Sequence, residues 1–259
     1  MKLRFTGTCA HDYSPRLKTD LKYTLDKDAR RSSGAIVDDV WQIDCGDHTL
    51  ESLNIQNIDL SKIKGILFTH LHGDHYNVEN VKKIAECGDR VLKIYAYKEA
   101  EQRLLTELEG ANVEIVPLEY CKEYEIEGGY KISALPANHQ CFPAHYLIEK
   151  DLKKLYYATD GAWIMFDAFY YLKNKQVDLL VLDATVGDYE GDYRVAEHNS
   201  IPMIRLMLKS FNKFNICNEN ARVLLSHIAP SLHISHDETV ELVKKDNIEV
   251  AFDGMIVEI

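Results

Sequence analysis

The stretch Gly65-Ile-Leu-Phe-Thr-His-Leu-His-Gly-Asp-His75 passes directly from an apolar run into a cluster of histidines. The residues from Gly65 to Thr69 have the composition of a short buried strand. His70 and His72 are two residues apart, so both imidazoles point to the same side while the chain remains extended. This pattern predicts a strand whose end presents two ring nitrogens to one point in space.

The turn after this strand adds a carboxylate and a third imidazole. Gly73 permits the turn, and Asp74 and His75 follow at the predicted start of a helix. With 11 histidines in 259 residues, His-x-His-x-Asp-His arises by chance on the order of once in a thousand. Imidazole and carboxylate ligands without thiolate suit zinc, manganese or iron, and zinc is the usual occupant of nitrogen-rich sites. We therefore favour a metal site over a solvated histidine-rich turn.

Three further polar residues stand at the ends of apolar runs. His139 ends Ile-Ser-Ala-Leu-Pro-Ala-Asn-His, Asp160 ends Leu-Tyr-Tyr-Ala-Thr-Asp, and His227 ends Val-Leu-Leu-Ser-His. Each alone is more typical of a hydrogen-bonded core or surface residue than of a metal ligand. Their repetition at strand ends favours a shared site.

The composition bounds the class of protein. The chain has 259 residues, 46% of them hydrophobic and 27% charged, which excludes disorder and predicts one globular domain over residues 1–259. The six cysteines form no Cys-x-x-Cys pair, so a disulfide scaffold or thiolate zinc knuckle is not indicated. We find no apolar signal region and no spanning segment, and we expect a cytoplasmic protein without a membrane partner.

The charge balance bears on the partners. A net charge of −11 disfavours binding to polyanions, so a nucleic-acid partner is not expected and a small anionic substrate is favoured. A homodimer is compatible with the sequence.

Apolar runs and helical periodicity alternate along part of the chain. Strands are predicted at Gly34–Cys45, Gly65–His70, Val91–Tyr97, Val113–Leu118, Tyr130–Leu135, His145–Glu149, Lys154–Thr159, Val177–Ala184, Arg222–His227 and Ile248–Ile259. Helices are predicted at Val78–Cys87, Lys98–Leu108, Ile164–Leu172, Ile201–Phe211 and Asp237–Lys245. This mixture predicts two sheets, or one large mixed sheet, with helices outside. The segment Ala10–Ser33 is long and aperiodic, and loops of that length are more often functional than idle.

These residues together resemble the metallo-β-lactamase superfamily, and the resemblance runs from Thr6-Gly7-Thr8 and Asp44-Cys45-Gly46 to His227. It implies an α/β fold, a four-layer αββα sandwich of two mixed sheets flanked by helices, with a dinuclear metal site at one edge. It implies that His70, His72 and His139 hold one ion, that Asp74, His75 and His227 hold the other, and that Asp160 bridges both. Asp44 would orient ligands from behind, a role that metal sites need.

Two differences in residue type distinguish this chain from particular subfamilies. True β-lactamases of this fold place a cysteine where this chain has Asp160, and flavo-diiron proteins replace His72 with glutamate. The resemblance therefore implies a hydrolase with two divalent ions, in which a bridging water of lowered pKa supplies hydroxide. Asp74 and Asp160 would take part in catalysis through the ions.

The segment Ala196-Glu-His198-Asn-Ser200 narrows the function further. It is similar to the histidine segment that tRNase Z and the cyclic phosphodiesterase of the carbon–phosphorus lyase pathway place beside the metals. By that similarity His198 would protonate the leaving oxygen or stabilise phosphate charge. Alternatively, His198 only precedes a helix capped by Asn199 or Ser200. The cysteine cluster of the cyclic phosphodiesterase and the basic arm of tRNase Z are not seen, so neither substrate transfers.

Four residues are candidates for contact with the substrate. Arg30, Arg31 and Arg194 could hold an anionic group, because guanidinium groups suit phosphate geometry. Nearby aspartates could equally neutralise them as surface charges. His11 follows the first strand and could border the site.

Three function classes remain open. The first is a metal-dependent phosphodiesterase for a small cyclic or nucleotide-like substrate. The second is a lactone, thioester or other acyl hydrolase with an apolar acyl pocket and no need for His198. The third is a non-catalytic metal-binding protein, which the cost of burying so many charges without chemistry disfavours.

Overall fold

Two seven-stranded β-sheets form the centre of the protein in a computed structural model that describes residues 1–12 and 26–259. The strands of the first sheet, in spatial order, are β14 (Ile256–Glu258), β1 (Lys2–Gly7), β2 (Gly34–Val37), β3 (Trp41–Ile43), β4 (Gly65–Leu67), β5 (Leu92–Tyr97) and β6 (Val113–Leu118). Those of the second sheet are β13 (Ile248–Val250), β12 (Cys217–Ser226), β11 (Val177–Asp183), β10 (Lys153–Ala158), β9 (Ala144–Lys150), β8 (Tyr130–Pro136) and β7 (Glu123–Ile126).

The two sheets pack face to face because their strands are apolar on both sides. In β10, Leu155 and Tyr157 point into the core between the sheets, and Tyr156 and Ala158 point outward. Trp41 is fully buried in the central layer, where its ring meets those of Tyr95 and Tyr130 edge to face. Strands that are buried on both faces require cover on their outer sides.

Helices supply that cover on both outer faces. They are α1 (Thr49–Ile55), α2 (Val78–Glu86), α3 (Glu101–Glu107), α4 (Phe166–Leu172), α5 (Ile201–Lys213) and α6 (His236–Val243). The first three pack on the first sheet and the last three on the second. The predicted αββα fold class is therefore confirmed. None of the helices in the described ranges is long and apolar enough to cross a bilayer.

Parallel strand pairing determines where the strand-end residues meet. Strands β3, β4, β5 and β6 run parallel in the first sheet, and β10, β11, β12 and β13 run parallel in the second. The carboxyl ends of parallel strands lie at one edge of a sheet, where α/β folds bind ligands. In this protein, the carboxyl ends of β3, β4, β10, β11 and β12 face one another across the sandwich at the residues described below.

Two predicted strands were wrong in extent. The run Gly34–Cys45 is a hairpin of β2 and β3, because Asp38 and Asp39 adopt positive φ and reverse the chain. The run Ile248–Ile259 contributes β13 to one sheet and β14 to the other, with Gly254 at φ +82° between them. Helix α1 and strand β7 were not predicted; β7 is an edge strand of half-exposed residues with a weak apolar signal.

Candidate metal centre

Three residues at the site lie just beyond the ends of strands and have a left-handed backbone conformation. Asp44 follows β3 with φ 58°, Asp160 lies two residues beyond β10 with φ 56°, and His227 follows β12 with φ 55°. This backbone conformation is energetically unfavourable for non-glycine residues, so the surrounding structure must stabilise it. Such residues concentrate at functional sites. Here the turn ends each strand and directs its side chain towards the space between the sheets.

Three imidazoles converge on one point at the first sheet's edge. Nε2 of His70 lies 3.0 Å from Nδ1 of His72, and Nε2 of His139 lies 3.2 Å from the same atom. Ring nitrogens that approach in this way could hold a cation, because each offers a lone pair when the imidazole is neutral. Burial is the main cause that lowers the pKa of each of these histidines, which favours the neutral form.

A second group of three lies beside the first. Nε2 of His75 and Nε2 of His227 are 3.2 Å apart. Oδ2 of Asp74 is 3.3 Å from the former nitrogen and 3.7 Å from the latter. These three residues could hold another cation.

Asp160 stands between the two groups. Its Oδ2 lies 2.6 Å from Nε2 of His75 and 2.8 Å from Nε2 of His227, and its Oδ1 lies 3.7 Å from Nε2 of His139. One oxygen therefore faces each group, which is the placement that a bridging carboxylate requires.

The donor set fits divalent cations. Within the described ranges, Oδ2 of Asp160 is buried and accepts no hydrogen bond of good geometry. A buried carboxylate oxygen without such a partner is costly unless a cation satisfies it. Five imidazoles and two carboxylates suit zinc, manganese or iron. The fold implies divalent metal ions, and the side chains at this edge are of the kind that bind them.

Asp44 supports this arrangement from behind. Its Oδ2 lies 2.7 Å from Nδ1 of His75, and its two oxygens accept hydrogen bonds from the backbone N–H and the hydroxyl of Thr69, each at 2.8 Å. A carboxylate on the second nitrogen of a ligand histidine fixes the ring's tautomer and orientation. This position agrees with the orienting role that the resemblance implies.

Gly46 brings the histidine-rich turn against the end of β3. A Cβ atom built on Gly46 would lie 1.8 Å from the backbone oxygen of Asp74. Only a residue without a side chain allows this approach. The Asp44-Cys45-Gly46 segment therefore positions both Asp74 and His75.

Asp183 and Thr185 are two buried residues of the site that the sequence analysis did not identify. Oδ2 of Asp183 lies 3.0 Å from Nδ1 of His198 and 3.4 Å from Nδ1 of His227. The hydroxyl of Thr185 lies 2.8 Å from Nδ1 of His227 and 3.2 Å from Nδ1 of His198. The signal was present, because Asp183 ends an apolar strand in the same way as the other strand-end residues.

The electrostatics of His198 follow from Asp183. Burial opposes the charged imidazole, but the negative charge of Asp183 and its hydrogen bond outweigh burial and raise the pKa of His198. Conversely, burial is the largest influence on the carboxyl of Asp183, and the histidines overcome it and lower its pKa. His198 is therefore suited to carry a proton near neutral pH.

A cavity of about 450 Å³ opens over these side chains. His11 and Arg194, two of the predicted substrate contacts, lie in its wall together with Asp12, Glu197 and His198. Arg194 is bound to Asp192 through Nε at 2.8 Å and Nη2 at 3.0 Å.

Arg30 and Arg31 lie elsewhere, which corrects the expectation that they border the substrate. Nη1 of Arg30 donates to Thr8 Oγ1 and to the carbonyl of Ala251, both at 2.7 Å. The backbone N–H of Arg31 donates to Asp253 Oδ2 at 2.7 Å. Both side chains are buried and neither is part of the cavity wall.

We call this group the arginine cluster and define it by its members. They are Thr8, Arg30, Arg31, Glu51, His236, Ala251 and Asp253. The core of the aperiodic segment that precedes it, residues 13–25, lies outside the described residues.

Comparison with known proteins places this site in a family. A 75-residue segment is 35% identical to ribonuclease Z of Prochlorococcus marinus, and it covers 29% of this chain and 21% of that protein. The matched part thus spans about a fifth of the length of these curated relatives.

Solved structures match over the whole chain. A diphosphatase from the PhnP family has a TM-score of 0.77 and 21% identity, and the match covers 100% of this chain and 96% of that one. The short form of human tRNase Z has a TM-score of 0.71 and 18% identity, with coverage of 100% and 99%. At these identities the likeness concerns the fold. The profile of the β-lactamase superfamily domain matches residues 41–228, which include both groups of converging side chains and Asp160. The chain therefore belongs to the β-lactamase superfamily.

Proposed function

We propose that this protein is a metal-dependent hydrolase that cleaves a phosphodiester bond in a small cyclic or nucleotide-like substrate at a dinuclear site. The observation that carries the proposal is the placement of Asp160 between two groups of three ligands, with His198 beside it on the cavity side. Nδ1 of His198 lies 3.4 Å from Oδ1 of Asp160. A proton donor is therefore adjacent to the point where a cleaved phosphodiester would release its oxygen.

The proposed ligand sets follow the geometry. His70, His72 and His139 would hold one ion, Asp74, His75 and His227 the other, and Asp160 both, with zinc the expected metal and manganese or iron the alternatives. Divalent ions at this site would polarise a phosphoryl oxygen and lower the pKa of water to about 7.

The chain's own residues supply orientation and a proton. Asp44 and Asp183 hold the rings of His75 and His227 from behind. Asp183 accepts a hydrogen bond from Nδ1 of a protonated His198, which leaves Nε2 to donate its proton to the departing alkoxide. Arg194 and His11 remain proposed substrate contacts, because both line the cavity.

The cavity favours a polar substrate over an acyl one. An acyl hydrolase needs an apolar pocket, but the apolar side chains among the described lining residues are only Ala10 and Ala229. The names of the relatives, ribonuclease Z and the diphosphatase, support a substrate that is cleaved at phosphorus. This support concerns the bond type and leaves the substrate itself to experiment.

The test measures bound metal and turnover together, for the parent and for His198→Ala. The substrate panel contains bis(p-nitrophenyl) phosphate, cyclic nucleotides, ribosyl cyclic phosphates, lactones and thioesters. We expect phosphodiester turnover in the parent and a loss of about 10²-fold to 10⁴-fold in His198→Ala with metal content unchanged. Acyl turnover that survives the substitution, with no phosphodiester turnover in the parent, would refute the proposal.

A further inference from the structure

We infer that Glu197 makes this site discriminate by charge among leaving groups, accepting those that carry hydroxyl groups and rejecting those that carry a second anionic group. The inference rests on the proposed phosphodiesterase function. It adds a substrate preference that the metal ligands do not determine. It begins from the place of Glu197 in the chain, directly before His198. His198 and Glu197 both line the cavity, so a leaving group whose oxygen meets His198 would extend past Glu197.

The carboxylate of Glu197 is fixed at the cavity mouth. Gln140 donates a hydrogen bond from Nε2 to Oε1 of Glu197. Oε2 lies 3.9 Å from Nδ1 of His139, a buried nitrogen without a hydrogen-bond partner in the part of the chain that the structure describes. The side chain of Glu197 is nevertheless 41% exposed. The carboxylate is therefore held by Gln140 and remains accessible to a ligand in the cavity.

Among the residues that the structure describes, no permanent cation neutralises the charge of this carboxylate. Over residues 1–12 and 26–259, Glu197 forms no ion pair with a lysine or an arginine. Arg194 is the arginine of the cavity wall, and Asp192 already binds its Nε and Nη2. This bidentate pair offsets much of the positive charge of Arg194 and leaves its remaining N–H donors for a neutral group of the substrate.

Asp12 adds to the negative character of the mouth. It lies in the same wall, where Oδ2 accepts a hydrogen bond from the backbone N–H of Ser231 at 3.2 Å. Metal ions bound at the site would draw the scissile phosphate inward, whereas a second phosphate on the leaving group would lie beside Glu197 in a partly desolvated cavity. Like charges placed this close repel strongly. Sugar or polyol hydroxyl groups, in contrast, can donate hydrogen bonds to the free carboxylate oxygen.

The test uses two phosphodiesters whose leaving groups differ in one ring substituent, which is neutral in one substrate and anionic in the other. One is a methyl nitrophenyl phosphodiester with a hydroxymethyl group on the nitrophenyl ring, and its analogue carries a phosphonomethyl group at the same ring position. Nitrophenolate is the better leaving group in both, so the substituent enters the side of the cavity that His198 serves. The readout is the ratio of kcat/KM for the two substrates with the metal-loaded enzyme.

We expect the parent to prefer the hydroxymethyl substrate by about tenfold or more. Glu197→Gln should bring the ratio close to one, and Glu197→Asp should preserve the preference. Glu190→Gln removes an equal charge from an exposed position in the same connection between β11 and α5, and it should leave the ratio unchanged.

The outcomes distinguish a failure of this inference from a failure of the proposed phosphodiesterase function. A parent that hydrolyses both diesters equally would overturn the inference and leave the phosphodiesterase intact. So would a Glu197→Gln variant that slows both substrates by the same factor, since that result assigns Glu197 to the positioning of His139. A parent that hydrolyses neither diester but cleaves lactones or thioesters would overturn both.

Discussion

Two groups of buried charged residues lie in this protein, and they differ in what their polar atoms face. In the arginine cluster, the guanidinium groups meet carboxylates, a hydroxyl and a carbonyl oxygen. In the candidate metal centre, ring nitrogens and carboxylate oxygens face one another and an open cavity. Among the described residues, no lysine or arginine pairs with Asp74 or Asp160. Burial of charge alone thus does not mark a functional site, but convergence of imidazole and carboxylate groups, with no lysine or arginine of the described residues paired to them, does.

The largest expected effect breaks the metal centre without disturbing the fold. Asp160→Asn keeps the shape of the side chain, and asparagine tolerates the left-handed backbone of this position. Loss of the bridging charge should reduce turnover by about three orders of magnitude or more, since each tenfold corresponds to about 1.36 kcal/mol of lost transition-state stabilisation. The measurement is metal content and kcat/KM on the substrate that the parent cleaves best.

The same variant should lower the free energy of unfolding of the metal-free protein. Burial opposes the ionised carboxylate, but His227 and His75 outweigh burial and hold the pKa of Asp160 well below its ordinary value, so this charge stabilises the metal-free fold. A variant that keeps full turnover and full metal content would contradict the assignment of Asp160.

The second largest effect is expected in the arginine cluster, where a substitution should lower stability and leave turnover unchanged. Arg30→Met keeps most of the side-chain volume and leaves Asp253 with one arginine instead of two. Breaking a buried charge network in this way costs about 3 to 5 kcal/mol. Chemical denaturation should show that loss, and turnover per folded molecule should stay at the parent level.

Arg222→Met is the matched control for this experiment. Arg222 pairs with Glu249 through two short contacts of 2.7 and 2.8 Å, but its side chain is 39% exposed. Exposed pairs contribute about 0 to 1 kcal/mol. Equal losses in the two variants would remove the distinction between a buried network and a surface pair.

The sequence predicted one cluster far better than the other, for a physical reason. The residues His70, His72, Asp74 and His75 are neighbours in sequence, so their spacing alone revealed their common direction. The strand-end positions of His139, Asp160 and His227 then followed from the tendency of parallel strands to end at one edge. Local spacing and strand polarity are properties that a sequence displays directly.

The arginine cluster has no such local signature. Arg31 meets Asp253, which is 222 residues away in the chain, through a backbone hydrogen bond. Arg30 and Arg31 were candidates for substrate contact because their residue type suits phosphate, with neutralisation by nearby aspartates as the alternative. The sequence held no sign that remote partners would use their donors. Glu197 was not identified for a related reason, since its proposed role depends on the absence of a lysine or arginine partner among the described residues.

The third effect concerns the pH dependence of the arginine cluster. Burial raises the pKa of Asp253 to about 6 against the ordinary 3.8, although hydrogen bonds and the two arginines oppose the shift. The folded state therefore holds its proton more tightly than the unfolded state between these two values. The free energy of unfolding should fall by about 3 kcal/mol as pH rises from below 4 to above 6.

Asp253→Asn isolates this contribution, because the amide does not titrate. The difference in unfolding free energy between parent and variant should change across that pH window and stay constant above it. A difference that is flat from pH 4 to 7 would show that the arginines hold the carboxyl ionised throughout.

The smallest expected effect concerns Asp183, which touches both His198 and His227 without facing the substrate. Asp183→Asn keeps one acceptor oxygen but removes the charge that orients and protonates His198, so kcat/KM should fall about 10-fold to 100-fold. Asp178→Asn alters a carboxylate on the same strand that instead contacts Lys153 and Asn218, and it should change turnover little.

A double variant decides which histidine carries the effect. If Asp183 acts through His198, then Asp183→Asn costs nothing further in the His198→Ala background, and the two substitutions are non-additive. If it acts mainly by orienting His227, the losses add and bound metal declines with Asp183→Asn alone. Loss of metal, together with additive losses in kcat/KM, would therefore give Asp183 the same role as Asp44, which is to support the metal centre. His198 would then hold its proton without help from Asp183.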